Sequence, residues 1–260
     1  MSGQSNEKSL AGRRALVTGA GSDGIGLAIA VGFARAGADV AIHSLAHDEA
    51  AEAALDAVRR EGRKALLLTA DFSDPAAARG TVHEAELALG GLDILVNNAA
   101  TTLRKPALET SDDEFLHILQ VNLIAQFACA QEAARLMIDK GVKDGRIVMV
   151  TSVNQALAVP DQIAYCASKG GVMQMAKVLA LELAGTGITV NMIAPGTVVT
   201  DLNRHLLADP AFHERRIGPV PMRRLGQPSD IAEAAIYLAG SGSSYVTGST
   251  IVIDGGLSLQ

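Results

Sequence analysis

Two side chains of one predicted helix have the types and the spacing needed to move a proton. Tyr165 and Lys169 are four residues apart in an alanine-rich segment with helical periodicity, so the phenol and the ammonium share one helix face. A phenol titrates near ~10 and is a poor base at neutral pH unless a fixed cation stabilises the phenolate. We therefore predict that Tyr165 performs general acid–base chemistry with the assistance of Lys169.

Ser152 and Asn122 are the polar side chains that we expect beside this pair. Ser152 follows the apolar run Ile147 to Val150, and at a strand end its hydroxyl could position a substrate carbonyl and offset developing negative charge. Capping a helix or turn is the alternative role for this hydroxyl. Asn122 lies in an apolar helical stretch and needs a buried partner, so we predict that it holds a water that relays protons to Lys169.

The elements that must position these residues alternate along the chain. Short apolar runs, typical of buried strands, are separated by longer alanine-rich segments with helical spacing. We predict strands at Ala15 to Thr18, Val40 to Ile42, Ala65 to Thr69, Ile94 to Val96, Ile147 to Val150, Thr189 to Ile193 and Thr250 to Ile253. We predict helices at Gly24 to Arg35, Asp48 to Glu61, Asp74 to Leu89, Asp112 to Lys140, Ala164 to Leu183 and Pro228 to Leu238.

Such alternation favours a doubly wound, Rossmann-type α/β fold. Crossover connections make the seven-stranded sheet parallel, with helices on both faces and ligands at the carboxyl ends of the strands. We predict a single domain of this kind over residues 11–260, after a disordered tail over residues 1–10.

The first predicted strand runs into a glycine-rich turn, Thr18 to Gly26, that opens a helical segment. Glycines let the backbone approach a pyrophosphate, and the free N–H groups of a helix N-terminus stabilise its charge. A turn built only for tight packing is the alternative. The predicted cofactor contacts in this turn are Gly19, Gly21, Ser22, Asp23, Gly24 and Ile25.

Two later strand ends are predicted to complete the dinucleotide site. Asp71 and Phe72 follow the third strand, where they would meet an adenine, although Asp71 could almost equally cap a helix. Asn98 and Ala99 follow the fourth strand, where small residues would let the backbone lie along the cofactor. A simple strand-end turn is the alternative there.

The end of the second strand should decide between NAD and NADP. It holds Ser44 rather than the acidic residue that would bind an unphosphorylated ribose, and it offers no arginine to bind a 2′-phosphate. His43, Ser44 and His47 could accommodate the phosphate, whereas Asp23 would repel it if that carboxylate points inward. Neither NAD nor NADP is excluded, and these side chains slightly favour NADP.

These motifs occur in the order found in short-chain dehydrogenases/reductases, which the sequence resembles over residues 11–260. The glycine-rich turn is similar to the family's Thr-Gly-x-x-x-Gly-x-Gly, with one extra residue between Gly19 and Gly24. Residues 97–100 resemble the family's Asn-Asn-Ala-Gly, with Ala100 in place of the glycine. Ser152 stands thirteen residues before Tyr165, as in the family.

The resemblance implies hydride transfer between nicotinamide and an alcohol or ketone, with a catalytic tetrad of Asn122, Ser152, Tyr165 and Lys169. Tyr165 and Lys169 would also contact the cofactor, Lys169 through the nicotinamide ribose. The implied contacts on the nicotinamide side are Pro195, Gly196, Val198 and Thr200. The family further implies a homotetramer in which the helices over residues 112–140 and 164–183 pack between subunits.

Residues 197–224 interrupt the alternation, and we predict that they form a mobile lid over the substrate. An ordinary surface insertion is the alternative. The family members that the sequence most resembles act on sugars, polyols or aldonates. Arginine or histidine could bind a carboxylate and Gln155 could bond hydroxyls, although solvated surface charge is the alternative. The candidate substrate contacts are Arg104, Asn154, Gln155, Arg204 and His205.

Two rival functions are kept open. A 3-oxoacyl-thioester reductase would need a basic docking patch at the cleft mouth, which the formal net charge of -6 makes less attractive without excluding it. A non-catalytic nucleotide-binding regulator is the alternative of another class. Binding alone, however, does not require a phenol and an ammonium beside a hydroxyl.

The composition argues against several other classes. With 22 Lys+Arg against 28 Asp+Glu, the chain offers no basic surface for a nucleic acid. No signal peptide and no apolar run of about 18 residues is recognised, so we predict a cytoplasmic protein with a small-molecule substrate and no membrane partner. Cys129 and Cys166 lack the spacing of a disulfide framework or a zinc site, and no metal site is predicted.

Overall fold

Seven parallel strands form one sheet in the computed structural model, which describes residues 9–259. The strands are β1 (Arg14–Val17), β2 (Asp39–Ser44), β3 (Ala65–Thr69), β4 (Ile94–Asn97), β5 (Arg146–Val150), β6 (Thr189–Pro195) and β7 (Thr250–Ile253). Their order across the sheet is β3-β2-β1-β4-β5-β6-β7. The winding direction reverses between β1 and β4, which is where ligands bind in sheets of this type. The predicted doubly wound parallel sheet is confirmed.

Helices cover both faces of this sheet. They are α1 (Ile25–Arg35), α2 (Glu49–Arg59), α3 (Pro75–Leu89), α4 (Asp112–Leu119), α5 (Ala125–Asp139), α6 (Ile163–Leu183), α7 (Asp201–Leu207), α8 (Pro210–Ile217) and α9 (Pro228–Ala239). Alternate strand residues face opposite layers: Val17 packs in the core with α1, α2 and α9, whereas Leu16 packs in the core with α3, α5 and α6. Strands buried on both sides explain their nearly continuous apolar sequences.

Polar side chains define where several helices begin. The Asp48 carboxylate accepts a hydrogen bond from the Ala51 amide at the start of α2, and the Asp74 carboxylate accepts one from the Ala76 amide at the start of α3. Ser111 and Glu114 form a reciprocal capping box at the start of α4. These contacts satisfy amides that have no partner within the helix.

The predicted single helix over residues 112–140 is divided in the structure. Between α4 and α5 lies a π-helical segment, Gln120–Ile124, with Asn122 at its centre. Such wide turns occur mostly as short insertions within α-helices, frequently at functional sites. The helical periodicity of residues 112–140 predicted one continuous helix and did not indicate this segment.

The predicted tail is wrong at its boundary. Residues 1–8 lie outside the described residues, but Leu10 is fully buried in the core beside α1, and its amide donates to the carbonyl oxygen of Ala36. Burial of a leucine side chain stabilises the fold by about 1.5–3 kcal/mol, so the ordered chain begins before Ala11.

The segment predicted as a lid contains two short helices, α7 and α8. Val198 before these helices and Gly226 after them pair in an isolated parallel β-bridge.

Along residues 9–259, no helix has the length and apolar character that crossing a bilayer requires.

Candidate active site

The glycine-rich turn joins β1 to α1 at the carboxyl edge of the sheet. Gly19 has φ 64°, and a Cβ there would lie 2.7 Å from the Cα of Ala99. A Cβ on Gly21 would collide with the side chain of Ser44. The turn therefore packs directly on the ends of β2 and β4, and no larger residue fits at either position.

The start of α1 fits an anionic group. Gly24 precedes the helix with no side-chain cap, and no acidic residue lies in the first turn of α1. Amides at such a terminus have no partner within the helix and carry the positive end of its dipole. This glycine cradle and its uncapped amides suit the pyrophosphate of a dinucleotide.

Thr18 and Asn98 hold the turn against the end of β4. The Thr18 hydroxyl accepts hydrogen bonds from the Asn98 and Ala99 amides at 2.9 and 3.0 Å. The Asn98 side chain donates to the carbonyl oxygens of Thr18 and Gly19, both at 2.9 Å. Asn98 thus fixes the shape of the turn, in addition to lying where the sequence predicted a cofactor contact.

His43 supports the turn from beneath and is not available to a phosphate. Its Nδ1 accepts from the Gly19 amide at 3.2 Å, so Nε2 carries the proton and donates to the Ala70 carbonyl oxygen at 3.0 Å. Burial lowers the pKa of His43 to about 4, so the ring is neutral at pH 7. His47 is exposed and paired with Glu52. The prediction that His43 accommodates a 2′-phosphate is therefore wrong in this structure.

Phe72 and Asp71 also have local partners. The Phe72 ring is buried and stacks on His43, with ring centroids 3.9 Å apart, so it does not offer a face to an adenine as predicted. Asp71 is exposed, and one carboxylate oxygen accepts from the Ser73 amide at 2.8 Å. That hydrogen bond lowers the pKa of Asp71. Asp74, not Asp71, caps α3.

The segment after β6 lies beside the glycine-rich turn. The Gly196 amide donates to the Ile253 carbonyl oxygen at 2.9 Å, and a Cβ on Gly24 would lie 3.7 Å from Thr200. Val198 is buried and its carbonyl oxygen accepts from the Asn203 side chain. Residues 195–200 and the turn therefore border one cleft.

Asp23 of the turn contacts α7, the first helix of the segment predicted as a lid. The Asp23 amide donates to the Asp201 carboxylate at 3.0 Å, and the Asp201 amide donates to the Asp23 carbonyl oxygen at 3.0 Å. Arg204 forms ion pairs with both carboxylates. Arg204 is thus engaged at the turn rather than placed for a substrate, and the Asp23 carboxylate is neutralised by it.

Tyr165 and Lys169 share one face of α6, and the Lys169 Nζ lies 5.6 Å from the centroid of the Tyr165 ring. Lys169 is buried, its Nζ donates to the Val150 carbonyl oxygen at 2.9 Å, and burial lowers its pKa to about 8. Burial raises the pKa of Tyr165, while a hydrogen bond with Ser152 and the nearby charge of Arg104 lower it. Ser152 and Arg104, rather than Lys169, oppose the effect of burial here.

Ser152 and Asn122 are both satisfied within the protein. Ser152 follows β5, is nearly buried, and its Oγ accepts from the Asn154 amide at 3.2 Å, so it caps a short turn. The Asn122 side chain accepts from the Thr101 amide at 2.8 Å and donates to the Thr101 carbonyl oxygen and the Ser168 hydroxyl. The Asn122 amide therefore joins the β4 loop to α6.

Comparison with known proteins agrees with this arrangement. The family model described as enoyl-(acyl carrier protein) reductase matches residues 19–258. Glucose 1-dehydrogenase of Gluconobacter oxydans is 36% identical over 249 residues, covering 96% of this chain and 93% of that protein. A 3-oxoacyl-[acyl-carrier-protein] reductase of Staphylococcus aureus is 35% identical over 245 residues, covering 94% and 98%.

A solved structure matches equally well. The gluconate 5-dehydrogenase of Burkholderia cenocepacia, crystallised with NADP and tartrate, is 38% identical, covers 98% of both chains and superposes with a TM-score of 0.90. The chain belongs to the short-chain dehydrogenase/reductase family. It is therefore an NAD(P)-dependent oxidoreductase, and the family predicted from the motifs is confirmed.

The other predicted substrate contacts of this dehydrogenase lie in different places. Asn154 donates to the Gln162 side chain at 3.0 Å. The Gln155 Oε1 is buried, and none of residues 9–259 donates to it. His205 is exposed on α7. Arg104 is exposed in the loop after β4 and lies close enough to Tyr165 to lower its pKa.

α8, in the segment predicted as a lid, carries Arg216 against an aromatic ring. The Arg216 guanidinium carbon lies 5.5 Å from the Phe212 ring centroid, and burial and the charge of Arg104 lower its pKa. Phe212 and Arg216 are four residues apart, so they face the same side of the helix.

Proposed function

We propose that this dehydrogenase interconverts a secondary alcohol and a ketone on a sugar, a polyol or an aldonate, with Tyr165 as the general acid and base. The observation that carries the proposal is the pairing of Tyr165 with Lys169 on one face of α6, with the Lys169 Nζ 5.6 Å from the phenol ring centroid and bonded to the Val150 carbonyl oxygen at the carboxyl end of β5. A phenol beside a fixed hydroxyl donor can exchange a proton with one substrate oxygen.

When bound, the nicotinamide supplies or accepts the hydride. Ser152 would donate a hydrogen bond to the reacting oxygen, and Tyr165 would give that oxygen a proton in reduction or remove one in oxidation. Lys169 would hold positive charge near the phenol. It would also contact the nicotinamide ribose, because its Nζ is bonded to the carbonyl oxygen of Val150 at the carboxyl end of β5, the edge of the sheet where ligands bind. Asn122 would position these groups by fixing the β4 loop to α6.

NAD or NADP would lie along the glycine cradle and residues 195–200, and we favour NADP. The Burkholderia relative holds NADP. In this chain, the end of β2 offers the half-buried Ser44 and no carboxylate to a ribose 2′-hydroxyl, and Asp23 is paired with Arg204. Ser44 therefore imposes no repulsion on a 2′-phosphate.

Two relatives support a polyhydroxy substrate. One is named for glucose and one for gluconate. The free Oε1 of Gln155 is an acceptor suited to a substrate hydroxyl. The Staphylococcus relative favours a second candidate, a 3-oxoacyl-thioester reductase.

Initial rates with a substrate panel test this function. The purified protein would be given gluconate, glucose and glucitol with NADP or NAD, and a 3-oxoacyl thioester with NADPH or NADH, while absorbance of the reduced nicotinamide is followed. We expect turnover of a polyhydroxy substrate with NADP exceeding that with NAD. Faster reduction of the thioester would favour the second candidate, and no turnover of any substrate would contradict both.

We further propose a lid over residues 197–224, a homotetramer and a cytoplasmic location. The lid is supported by the contacts of Asp201 and Arg204 with the glycine-rich turn. The tetramer is supported by exposed apolar side chains on α5 and α6, including Phe127 and Leu181. The location is supported by two free cysteines, which suit a reducing compartment.

A further inference from the structure

One side-chain hydrogen bond joins the turn after Ser152 to the start of the helix that carries Tyr165. The Asn154 Nδ2 donates to the Gln162 Oε1 at 3.0 Å. The Asn154 backbone amide in turn donates to the Ser152 Oγ at 3.2 Å. Gln162 lies directly before α6, one turn ahead of Tyr165. Asn154 and Gln162 therefore form a bridge between the two groups that would act on the reacting oxygen.

The backbone alone gives little support to the separation of these two groups. β5 ends at Val150 and α6 begins at Ile163. The segment between them contains only a short 3-10 helix, Val153–Gln155. Asp161 in this segment has φ 63°, a backbone conformation that costs free energy for a residue other than glycine. An irregular segment of this kind depends on side-chain contacts for its shape.

The Gln162 side chain is committed to this bridge. Gln162 is only 5% exposed, and its Nε2 donates to the Thr102 hydroxyl through a longer hydrogen bond of 3.4 Å. It occupies the residue position before α6 at which a side chain can cap the helix, yet it makes no capping hydrogen bond. The amide therefore connects separate segments of the chain, and breaking the bridge would leave buried polar atoms without partners.

The loop after β4 is held at the same place. The Lys105 amide donates to the Asp161 carbonyl oxygen at 2.8 Å, directly beside Gln162 in the chain. Together with the contact between Gln162 and Thr102, this hydrogen bond brings three segments together: the β4 loop, the turn after Ser152 and the start of α6. Gln162 is the residue whose side chain contacts both of the other two segments.

We infer that Gln162 is a positioning residue, which holds the Ser152 hydroxyl and the Tyr165 phenol at the separation that proton transfer requires. It acts through Asn154. The inference rests on the proposed function, which assigns the proton transfer to Tyr165. Because the Asn154 amide occupies one acceptor position of the Ser152 hydroxyl, the hydroxyl proton is left for a substrate oxygen. Small displacements matter here, since a misplacement of about 1 Å can slow a reaction by about 10²-fold.

Two variants break the bridge from either end. Gln162→Met and Asn154→Leu each remove one side-chain amide at nearly constant size, and neither removes the backbone amide that bonds Ser152. With the substrate of the panel that the wild-type enzyme turns over fastest, kcat should fall by about 10- to 100-fold in each variant. KM for that substrate and the Kd for NADPH should stay within about threefold, because the two amides are bonded to each other.

The double variant shows whether the two amides act as one unit. If Gln162 acts through Asn154, kcat of the double variant should equal that of the slower single variant, because the second substitution removes a link that is already broken. Gln174→Met is the matched control, since Gln174 is exposed further along α6. It should match the wild type in kcat and KM. Circular dichroism confirms that each variant is folded.

Hydrogen exchange without substrate or cofactor tests the bridge independently of turnover. The Asn154 amide donates to Ser152, so its exchange reports how well the turn is held. In Gln162→Met, a peptide covering residues 151–156 should exchange about three- to tenfold faster than in the wild type, as the loss of one hydrogen bond allows. Gln174→Met should leave the exchange of this peptide unchanged.

Unchanged kcat in Gln162→Met would overturn the inference. So would a raised KM with unchanged kcat, which would make Gln162 a substrate contact instead. Losses of kcat that multiply in the double variant, or unaltered exchange of residues 151–156 in Gln162→Met, would also contradict it. Absence of wild-type turnover with every substrate of the panel would contradict the proposed function, and hydrogen exchange would then decide the bridge by itself.

Discussion

Burial sets the protonation of three side chains at the carboxyl edge of the sheet. It lowers the pKa of Lys169 to about 8 and that of His43 to about 4, and it raises the pKa of Tyr165. Each shift favours the neutral form, because a charge loses hydration in the interior. Ser152 and Arg104 act in the opposite direction on Tyr165, but burial is the larger effect and its pKa stays above the ordinary value.

His43 should make the fold sensitive to mild acid. Its folded pKa of about 4 lies below the ordinary value of 6.5, so the unfolded state binds the additional proton as pH falls from 6.5 towards 4. Stability is therefore lost over that window, by about 2 kcal/mol between pH 7 and pH 5. His43→Gln keeps a hydrogen-bond donor and an acceptor but cannot titrate. Between pH 7 and pH 5, the free energy of unfolding of this variant should therefore fall by about 2 kcal/mol less than that of the wild-type protein.

Chemical denaturation at pH 7 and pH 5 measures this difference. His205→Gln is the control, because His205 is exposed on α7. This variant should lose as much unfolding free energy between pH 7 and pH 5 as the wild-type protein. An unchanged loss of stability in His43→Gln would show that other groups cause the acid sensitivity.

Residue types and spacing predicted part of the site. Tyr165 and Lys169 share one face of α6 and Ser152 follows β5, because a spacing of four on a helix and a position at a strand end fix where these residues lie. His43 and Phe72 were assigned wrong partners. His43 bonds to Gly19 and stacks on Phe72, and sequence spacing carries no record of such pairings between separate strands and loops.

At the scale of elements, the glycine-rich turn is connected to α7 of the proposed lid. Asp23 of the turn exchanges backbone and side-chain contacts with Asp201 at the start of α7, and Arg204 pairs with both. We therefore expect a cofactor phosphate at the turn and a substrate beneath the proposed lid to affect each other's binding.

Arg204→Met tests this connection. Exposed ion pairs contribute about 0–1 kcal/mol to stability, so the melting temperature should change little. We expect KM for the substrate and Kd for NADPH to rise together, about two- to fivefold, because 1 kcal/mol corresponds to roughly that factor. Arg35→Met removes a comparable exposed pair with Glu61 at the far end of α1 and should leave both constants unchanged. A rise in only one constant in Arg204→Met would contradict the coupling.

Most elements were predictable and two features were not. The strand positions follow from short apolar runs, and the helices from alanine-rich amphipathic segments, because burial imposes those periods. The π-helical segment Gln120–Ile124 and the lid helices α7 and α8 left no such signal. The described side chains of α7 and α8 include none that is fully buried, so no apolar period marks these helices.

At the scale of the whole molecule, α5 and α6 leave apolar side chains in contact with water. Phe127, Ile138, Val178 and Leu181 are between 37% and 82% exposed in the single chain. Contiguous apolar surface of this kind is characteristic of subunit interfaces, and these are the helices expected to pack between subunits.

Phe127→Glu combined with Leu181→Glu should dissociate the proposed tetramer, because burying two unpaired carboxylates at an interface is costly. Light scattering should give four times the chain mass of 26.9 kDa for the wild-type protein and a smaller mass for the variant. Leu87→Glu on α3, where the leucine is 76% exposed, is the control and should leave the mass unchanged. A wild-type mass of one chain would contradict the proposed assembly.

The most direct measurement compares Tyr165→Phe with the wild-type enzyme in steady-state turnover and in NADPH binding. Loss of the hydroxyl removes the proton-transferring group and leaves the ring packing, so kcat should fall by about 10²- to 10⁴-fold while the Kd for NADPH stays within about twofold. Tyr237→Phe, on the exposed face of α9, should match the wild type in both. Undiminished turnover in Tyr165→Phe would contradict the assignment of Tyr165 as the general acid and base.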